Sequence, residues 1–250
     1  MPFQAVATQR LYEQVAKQVA DLIARGEFGP GDRLPPERDL ARLLGVSRPT
    51  VREAMIALEI AGLVEVRVGA GIFVTLQATV ERADAAVRRI ARAGPSPMEL
   101  LGARLLIEPE VAARAAAMAE PEALQAIAET LEQMEAAVDT PAHRAADQLF
   151  HGRIAAATHN TVLVSLVDEI WGQMFTPLFE RMGARSGLIP QARDATLDEH
   201  QAIYKAIAAG DSAGARRAMT NHLSNVERIL AEGDAGDQID PLLASAGVAR

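Results

Sequence analysis

The sequence predicts a mainly α protein in two parts: three helices and a β-hairpin at the N-terminus, followed by an all-α helical bundle. Three observations support this prediction. Residues 9–76 contain apolar residues at helical spacing, interrupted by glycines and prolines, and end in two short apolar runs. Residues 98–232 show helical periodicity alone. The chain of 250 residues is long enough to give each part a hydrophobic core.

The first two helices are predicted from their apolar spacing and their boundaries. One covers Gln9–Arg25, and Gly26 ends it. The next runs from Pro36 to Leu44, with prolines in its first turn, where a missing N–H is harmless. Gly45 then closes this helix, because glycine readily takes the left-handed conformation found at helix ends.

The third helix combines an apolar face with a basic one. Ser47 is predicted as its N-cap and Ala61 as its end. The apolar face, at positions i, i+3, i+4 and i+7, comprises Val51, Ala54, Met55 and Leu58. Arg48 and Arg52, four residues apart, are expected together on the exposed face. A helix of this kind, following a sharp turn, suits the major groove of DNA.

A β-hairpin is predicted after the third helix. Its strands are Leu63–Val68 and Ile72–Thr75, joined at Gly69-Ala70-Gly71. Gly69 and Gly71 are expected to allow positive φ at the tip, where the backbone approaches DNA. Residues 1–76 are therefore predicted to form a winged helix-turn-helix.

The remaining chain is predicted to form a linker, a bundle and a tail. Residues 77–97 give a short helical linker, which stops at Gly94-Pro95-Ser96-Pro97. The bundle occupies residues 98–232, with helices at 98–118, 121–138, 141–158, 160–182, 191–209 and 212–232. Pro109 should kink or split the first of these helices. Residues 233–250, rich in Gly, Ala and Asp, should form a flexible tail.

Composition excludes several classes of protein. The chain has no cysteine, so it has no disulfide framework and no thiolate metal site. No apolar run approaches the ~20 residues of a membrane helix, and the N-terminus lacks the features of a signal peptide. The expected location is the cytoplasm, with no membrane partner.

A net charge of −8 is unusual for a chain with a predicted DNA-binding helix. Residues 8–76 hold nine Lys and Arg against nine Asp and Glu, so the other residues carry the whole excess. DNA affinity depends on cations placed against phosphates rather than on total charge. This distribution of charge indicates that residues 8–76 bind DNA and that the acidic remainder has a different function.

Three of the five histidines occur in the middle of predicted helices, beside apolar residues. Asp147 and His151 are four residues apart, so they project from one face of a helix. His200 and His222 belong to two later helices. One carboxylate and three imidazoles can meet as metal ligands inside a bundle. A mid-helix histidine is more often a core residue, however, and spacing alone does not exclude His143, one turn before Asp147.

The segment LPPERDLARLLGVSRPTVREAMIALEIAGLVEVRVGAGIFV resembles the winged helix-turn-helix of the GntR family of bacterial transcription regulators. The resemblance extends to nearly every position. One departure is Pro36, where many members carry a capping serine, and proline fits this first turn. The resemblance implies a double-stranded DNA operator as partner. The residues expected at the DNA are Arg38, Ser47, Arg48, Thr50, Arg52 and Gly69.

The motifs DQLFH, DEHQAIYKAIAAGD and AMTNHL, preceded by LLGARLLIEPEVAARAAA, resemble the FCD ligand-binding domain of the FadR-type branch of that family. The resemblance implies a divalent metal, with the ligands Asp147, His151, His200 and His222. Zinc is the first expectation, and nickel, manganese and iron accept the same ligands. The resemblance also implies that Arg104 binds the carboxylate of a small effector. An i, i+4 ion pair of Arg104 with Glu108 on a solvated face is the alternative.

Within that branch, several segments resemble the glucuronate and galacturonate repressors, which regulate hexuronate use. These segments are RLYEQVA, EVRVGAGI, ELLGARLLIE and ATHNTVLVSLVDEIW, with the AMTNHL region. The resemblance implies a repressor that a hexuronate or related sugar acid releases from its operator. Trp171 is either a stacking partner for a sugar ring or a core residue.

Two alternative functions use the same residues: a metal-dependent enzyme and a DNA-binding regulator with a purely structural metal. A metal-dependent enzyme needs a general base near the metal and would not explain the winged helix-turn-helix, so no catalytic residue is predicted. Glu199 precedes His200 in the sequence but is not predicted to be that base, because adjacent residues of a helix point ~100° apart. A purely structural metal is the other alternative. A homodimer is expected, since two-fold dimers bind inverted half-sites with sufficient DNA surface.

Overall fold

The computed structural model of the chain describes residues 10–67, 69–137, 140–185 and 193–232. These residues form eleven helices and one two-stranded hairpin. They divide after Ala93, and Gly94–Leu230 forms a second compact unit. The mainly α fold class is confirmed. The predicted tail, residues 233–250, lies outside the described residues.

The first unit is the predicted arrangement of helices and hairpin. Its elements are α1 (Leu11–Ala24), α2 (Glu37–Leu44), α3 (Arg48–Ile60), β1 (Val64–Arg67), β2 (Gly71–Val74) and α4 (Val80–Ile90). α1 packs against both α3 and α4, and the side chains of Tyr12, Val15, Met55 and Leu58 are buried in the core. The helix within the predicted linker, α4, is therefore packed against the first unit.

The turn between α2 and α3 follows the predicted chemistry. Gly45 takes the left-handed conformation at φ 67° and closes α2. The Ser47 hydroxyl accepts a hydrogen bond from the Thr50 N–H at 3.2 Å and caps α3. Pro36 is the N-cap of α2 rather than its first residue. These local interactions set the angle at which the third helix leaves the turn.

The hairpin pairs β1 with β2 antiparallel, with Val64 opposite Val74 and Arg67 opposite Gly71. The chain before α2 extends the pairing, since Leu34 N–H donates to the Ile72 carbonyl at 2.8 Å. Gly69 at the tip has φ 71°, a conformation that favours glycine. The tip is therefore built as a wing, with a short exposed turn.

The second unit is a helical bundle. Its elements are α5 (Pro97–Met118), α6 (Pro121–Ala136), α7 (Thr140–Ala156), α8 (Thr161–Gly172), α9 (Pro177–Arg185), α10 (Arg193–Ala208) and α11 (Ser212–Glu232). Met134, Phe150 and Ile154 are fully buried in its core. No helix in the described ranges has the length and apolar character that crossing a membrane requires.

One helix prediction for the bundle is wrong, and of the predicted kink or split at Pro109 the split does not occur. The single helix predicted at 160–182 is two helices, α8 and α9, because Pro177 starts a new first turn and Thr176 Oγ1 accepts from the Phe179 N–H at 3.3 Å. Pro109 does not split α5, which continues to Met118. Burial of Val111 and Ala112 just beyond the proline supplies packing that offsets the missing hydrogen bond.

Candidate functional site

The residues predicted at the DNA lie on α2, on α3 and at the tip of the hairpin. Arg38, Ser47, Arg48 and Gly69 are exposed. Thr50 is half-buried, and its hydroxyl is 2.8 Å from that of Ser47. Phosphate contacts need accessible hydrogen-bond donors. The exposed arginines Arg38 on α2 and Arg48 on α3 are such donors.

Arg52 departs from the prediction that it shares an exposed face with Arg48. It is only 5% exposed, and its Nη2 pairs with Glu37 Oε2 at 2.8 Å. The carboxylate comes from the first turn of α2, and burying a charge without a partner would be costly. A DNA contact by Arg52 stays a prediction, and it requires this pair to open.

A second cluster of polar side chains lies inside the bundle. α7 supplies Asp147 and His151, α10 supplies His200 and α11 supplies His222. The three imidazoles are buried, and one ring nitrogen from each lies within 4.8 Å of the others. Their rings pack together, with 4.4 Å between the centroids of His200 and His222. The prediction that the three helices bring these side chains together agrees with the structure.

Asp147 faces two of the three imidazoles. Its Oδ1 is 3.2 Å from His200 Nε2 and 3.4 Å from His151 Nε2. Asp147 Oδ1 and both ring nitrogens of His200 are nevertheless buried without a hydrogen-bond partner in the described structure. Buried polar atoms are rarely left unpaired, so a group of them converging on one point indicates a place for an ion.

Protonation states in the cluster suit a cation. Burial lowers the pKa of His200 and, together with the neighbouring imidazoles, holds the pKa of His222 well below its usual value. Burial would raise the pKa of Asp147, but the imidazoles of His151 and His200 hold it well below its usual value. Burial would also lower the pKa of His151, but the carboxylates of Glu108 and Asp147 raise it. Neutral imidazoles, as at His200 and His222, and an ionised carboxylate, as at Asp147, are the forms that ligate divalent metals. The donor set therefore fits the predicted metal.

Two glutamates lie behind the imidazoles, and their roles here were not predicted from the sequence. Glu108 Oε2 contacts His151 Nδ1, and Glu199 Oε2 is 2.9 Å from His222 Nδ1. Burial would raise the pKa of Glu108, but Arg104 and His151 lower it to about 2. Sequence spacing predicts which residues share a face of one helix, but not which residues of different helices make contact. The contacts of these glutamates with the histidines were therefore not predictable from spacing.

Arg104 is buried beside the cluster rather than on a solvated face. Its Nε donates to Glu108 Oε1 at 2.5 Å, so the i, i+4 pair expected as an alternative does form. Its guanidinium carbon lies 4.2 Å from the centre of the Trp171 ring, and its Nη1 is 3.4 Å from Met174 Sδ. Trp171 is a core residue with Arg104 against its ring.

His143, which spacing alone did not exclude, is outside the cluster. Its Nδ1 is 3.4 Å from the carbonyl oxygen of Met134, at the end of α6. It lies one turn before Asp147 on α7, at a level of the bundle where its neighbour is α6 rather than the other histidines. Only three-dimensional placement distinguishes it from His151.

Comparison with protein families gives two matches that together cover most of the chain. Residues 11–74 match the model described as bacterial regulatory proteins, gntR family. Residues 99–225 match the FCD domain model, which is more than half of the chain. The first match contains α1–α3 and the wing, and the second contains the histidine cluster.

Curated relatives extend over almost the whole chain. The Uxu operon transcriptional regulator of Escherichia coli K12 is 38% identical over 240 residues, 94% of this chain and 92% of that protein. The Exu regulon transcriptional regulator of the same strain is 35% identical over 226 residues, 89% of this chain and 85% of that protein. Among solved structures, Streptococcus agalactiae GntR is 27% identical with a TM-score of 0.46, covering 87% of this chain and 99% of that one.

Proposed function

The chain belongs to the GntR family of DNA-binding transcriptional regulators and carries an FCD domain, and from this we propose that it is a repressor released by a small carboxylate. The proposed effector is a hexuronate or a related sugar acid, bound at a metal site in the bundle. The relatives and both families are regulators of transcription, so the chain is a regulator and not an enzyme.

The observation that carries the proposal is the buried cluster of one carboxylate and three imidazoles, in which Asp147 Oδ1 and both His200 ring nitrogens have no hydrogen-bond partner in the described structure. Asp147, His151, His200 and His222 would hold the metal, as the convergence of their side chains supports. A divalent ion bound there supplies positive charge and a coordination position for an anionic oxygen. The protein side chains hold the ligand geometry and exclude water from the site.

Arg104 is proposed to recognise the effector carboxylate. Its buried guanidinium lies beside His151, with Nη2 3.4 Å from His151 Nε2, so a carboxylate near the imidazoles would also be within its reach. Glu108 already accepts hydrogen bonds from Nε at 2.5 Å and from Nη2 at 3.4 Å, so an effector carboxylate would bind at Nη1 or share Nη2 with Glu108. The names of the Uxu and Exu regulators support hexuronate as the class of effector to test first.

Release from DNA requires that the effector bind one conformation of the protein more tightly than another. A homodimer is the proposed form, with one winged domain for each half-site of an operator. A coupling free energy of about 1–3 kcal/mol would weaken operator affinity by roughly 5–150-fold.

Metal analysis of the full-length protein tests the site. We expect bound metal in the wild type and none in the double variant His200→Ala, His222→Ala. A full complement of metal in the double variant would refute this ligand set.

The effector is tested on the promoter next to the protein's own gene, followed by fluorescence anisotropy. Glucuronate or galacturonate should release the DNA, and glucose, which lacks the carboxylate, should not. Arg104→Ala should keep the metal and lose most of the response. Release by glucose, or an unchanged response in Arg104→Ala, would contradict the assignment.

A regulator with a purely structural metal is the second candidate. The observation that favours it is the buried Arg104–Glu108 pair, because the guanidinium already has a carboxylate partner. In that case the protein would bind metal, and sugar acids would neither bind in calorimetry nor release the DNA.

A further inference from the structure

Behind the proposed metal ligands lie carboxylates that contact the other nitrogen of the ring. Histidine has two ring nitrogens, and in the neutral form only one carries a proton. A histidine can therefore ligate a metal through one nitrogen only if its proton is on the other. The partner of that second nitrogen decides which form is present.

Glu199 contacts His222 from the adjacent helix. Its Oε2 is 2.9 Å from Nδ1, while its Oε1 accepts from the Asn225 side-chain amide at 2.8 Å. Asn225 Oδ1 in turn accepts from Arg228 Nη2 at 2.7 Å. Because Asn225 donates to one oxygen, the other is held facing His222, which leaves Nδ1 as the protonated nitrogen of the imidazole.

Glu108 has the same relation to His151. Its Oε2 contacts Nδ1, and Arg104 holds its Oε1 at 2.5 Å. The opposite nitrogen, His151 Nε2, is the one that faces Asp147 at 3.4 Å. His200 is different, because neither of its ring nitrogens has a hydrogen-bond partner among the described residues.

We propose that Glu199 and Glu108 are positioning residues for the metal site: each accepts the Nδ1–H of one ligand histidine, His222 or His151, and so presents Nε2 to the ion. This inference rests on the proposed metal site and adds to it the residues that orient the ligands. Carboxylates in this position commonly fix the ring orientation and the basicity of ligating histidines.

Glu199 gives the cleaner test, because Glu108 also pairs with Arg104. Zn²⁺ affinity of the full-length protein is measured by competition with a chromophoric chelator. Glu199→Ala should weaken Zn²⁺ binding by ~10–100-fold, and Glu199→Gln should lose less because its amide oxygen still accepts a hydrogen bond. Asp198→Ala is the matched control, because Asp198 is a neighbouring but exposed carboxylate on α10. The Zn²⁺ affinity of this variant should equal that of the wild type.

A spectroscopic measurement separates positioning from a structural role. Long-range ¹H–¹⁵N spectra of the Zn²⁺-loaded wild type should show His222 protonated at Nδ1 and ligating through Nε2. In metal-free Glu199→Ala, the Nδ1–H form of His222 should lose population to the Nε2–H form. A merely structural role would lower the thermal midpoint without this change and would affect Ala and Gln variants alike.

The outcomes distinguish the inference from the proposed function. A wild type that binds no Zn²⁺ overturns both. Wild-type affinity in Glu199→Ala, or a Gln variant as weak as the Ala variant, overturns the positioning role alone. If Glu199→Ala does not fold, Asn225→Ala replaces it. This variant removes the amide that holds Glu199 in place, so it should also weaken Zn²⁺ binding, by a smaller factor than Glu199→Ala. Unchanged affinity in Asn225→Ala would then overturn the inference.

Discussion

At the scale of single residues, neighbouring arginines of one helix have different environments. Arg48, at the start of α3, is exposed, whereas Arg52, one turn later, is buried against Glu37. Removing one partner of a buried ion pair strongly destabilises the folded protein, because the other charge is then buried without compensation. The same residue type on the same helix is therefore expected to serve two purposes.

Alanine substitutions should separate these purposes. Arg48→Ala should weaken operator binding, by about 1–3 kcal/mol if the side chain contacts a base, and leave the thermal midpoint unchanged. Arg52→Ala and Glu37→Ala should both lower the thermal midpoint, since the first leaves the half-buried Glu37 carboxylate without its partner and the second leaves the buried Arg52 charge without a carboxylate. Anisotropy titrations and thermal unfolding measure the two effects. An Arg52→Ala protein of wild-type stability would show that the pair is open in solution.

Glu108 should make the stability of the metal-free protein depend on acid pH. Its pKa is lowered from 4.5 to about 2, so its stabilising effect is complete above pH ~4.5 and is lost as the pH falls toward 2. Glu108→Gln should be less stable at neutral pH and should lose less stability than the wild type across that window. Urea unfolding at several pH values measures the difference.

Glu110→Gln provides the control for this pH dependence. Glu110 lies on the same helix but is exposed, and its pair with Arg216 at 2.5 Å is accessible to water. Exposed ion pairs contribute little to stability. A pH profile of Glu108→Gln parallel to that of the wild type, or a change in Glu110→Gln equal to that in Glu108→Gln, would argue against the buried charge as the cause.

At the scale of elements, the wing depends on backbone conformations that side chains rarely adopt. Gly69 has φ 71° with open space around it, and Gly71 has φ 112° with its Cα facing the Arg33 guanidinium. A β-carbon at Gly71 would lie 2.8 Å from Arg33 Nε. Conformation therefore favours glycine at both positions, and a β-carbon at Gly71 would in addition displace the end of the flexible Arg33 side chain.

Gly69→Val should weaken operator binding, because a β-branched residue is strained at positive φ and should alter the tip. Zn²⁺ and effector binding should remain, since the proposed ligands belong to α7, α10 and α11. Anisotropy with operator DNA and calorimetry with metal measure the two activities on one preparation. Equal loss of both would indicate general unfolding rather than a local effect at the wing.

At the scale of the whole molecule, the two proposed activities must be linked in both directions. If a sugar acid weakens operator binding by some factor, operator DNA must weaken binding of that acid by the same factor. Calorimetric titration of the effector into the free protein and into its operator complex should give the same ratio as the DNA titrations. A ratio that differs between the two directions would mean that the two titrations do not measure the same binding equilibrium between protein, effector and operator.

The sequence by itself determined the elements of the first unit and the candidate ligands of the second. Gly45 and Ser47 act on their immediate neighbours, so the turn that they form is predictable from local chemistry. The motifs around Asp147, His200 and His222 marked candidate ligands, and the fold brings their side chains together. Local chemistry therefore predicted this turn, and the ligand roles of the clustered residues stay a prediction.

Only the tertiary structure decided which neighbours these residues have. Helical periodicity places Arg52 beside Arg48 on one face, but it contains no information about Glu37, which approaches from α2 and buries it. In the same way, Glu199 diverges from His200 on its own helix and meets His222 on the next. The physical reason is that spacing along a helix fixes a side chain's direction about its own axis, whereas burial, charge pairing and protonation depend on the helices packed against it.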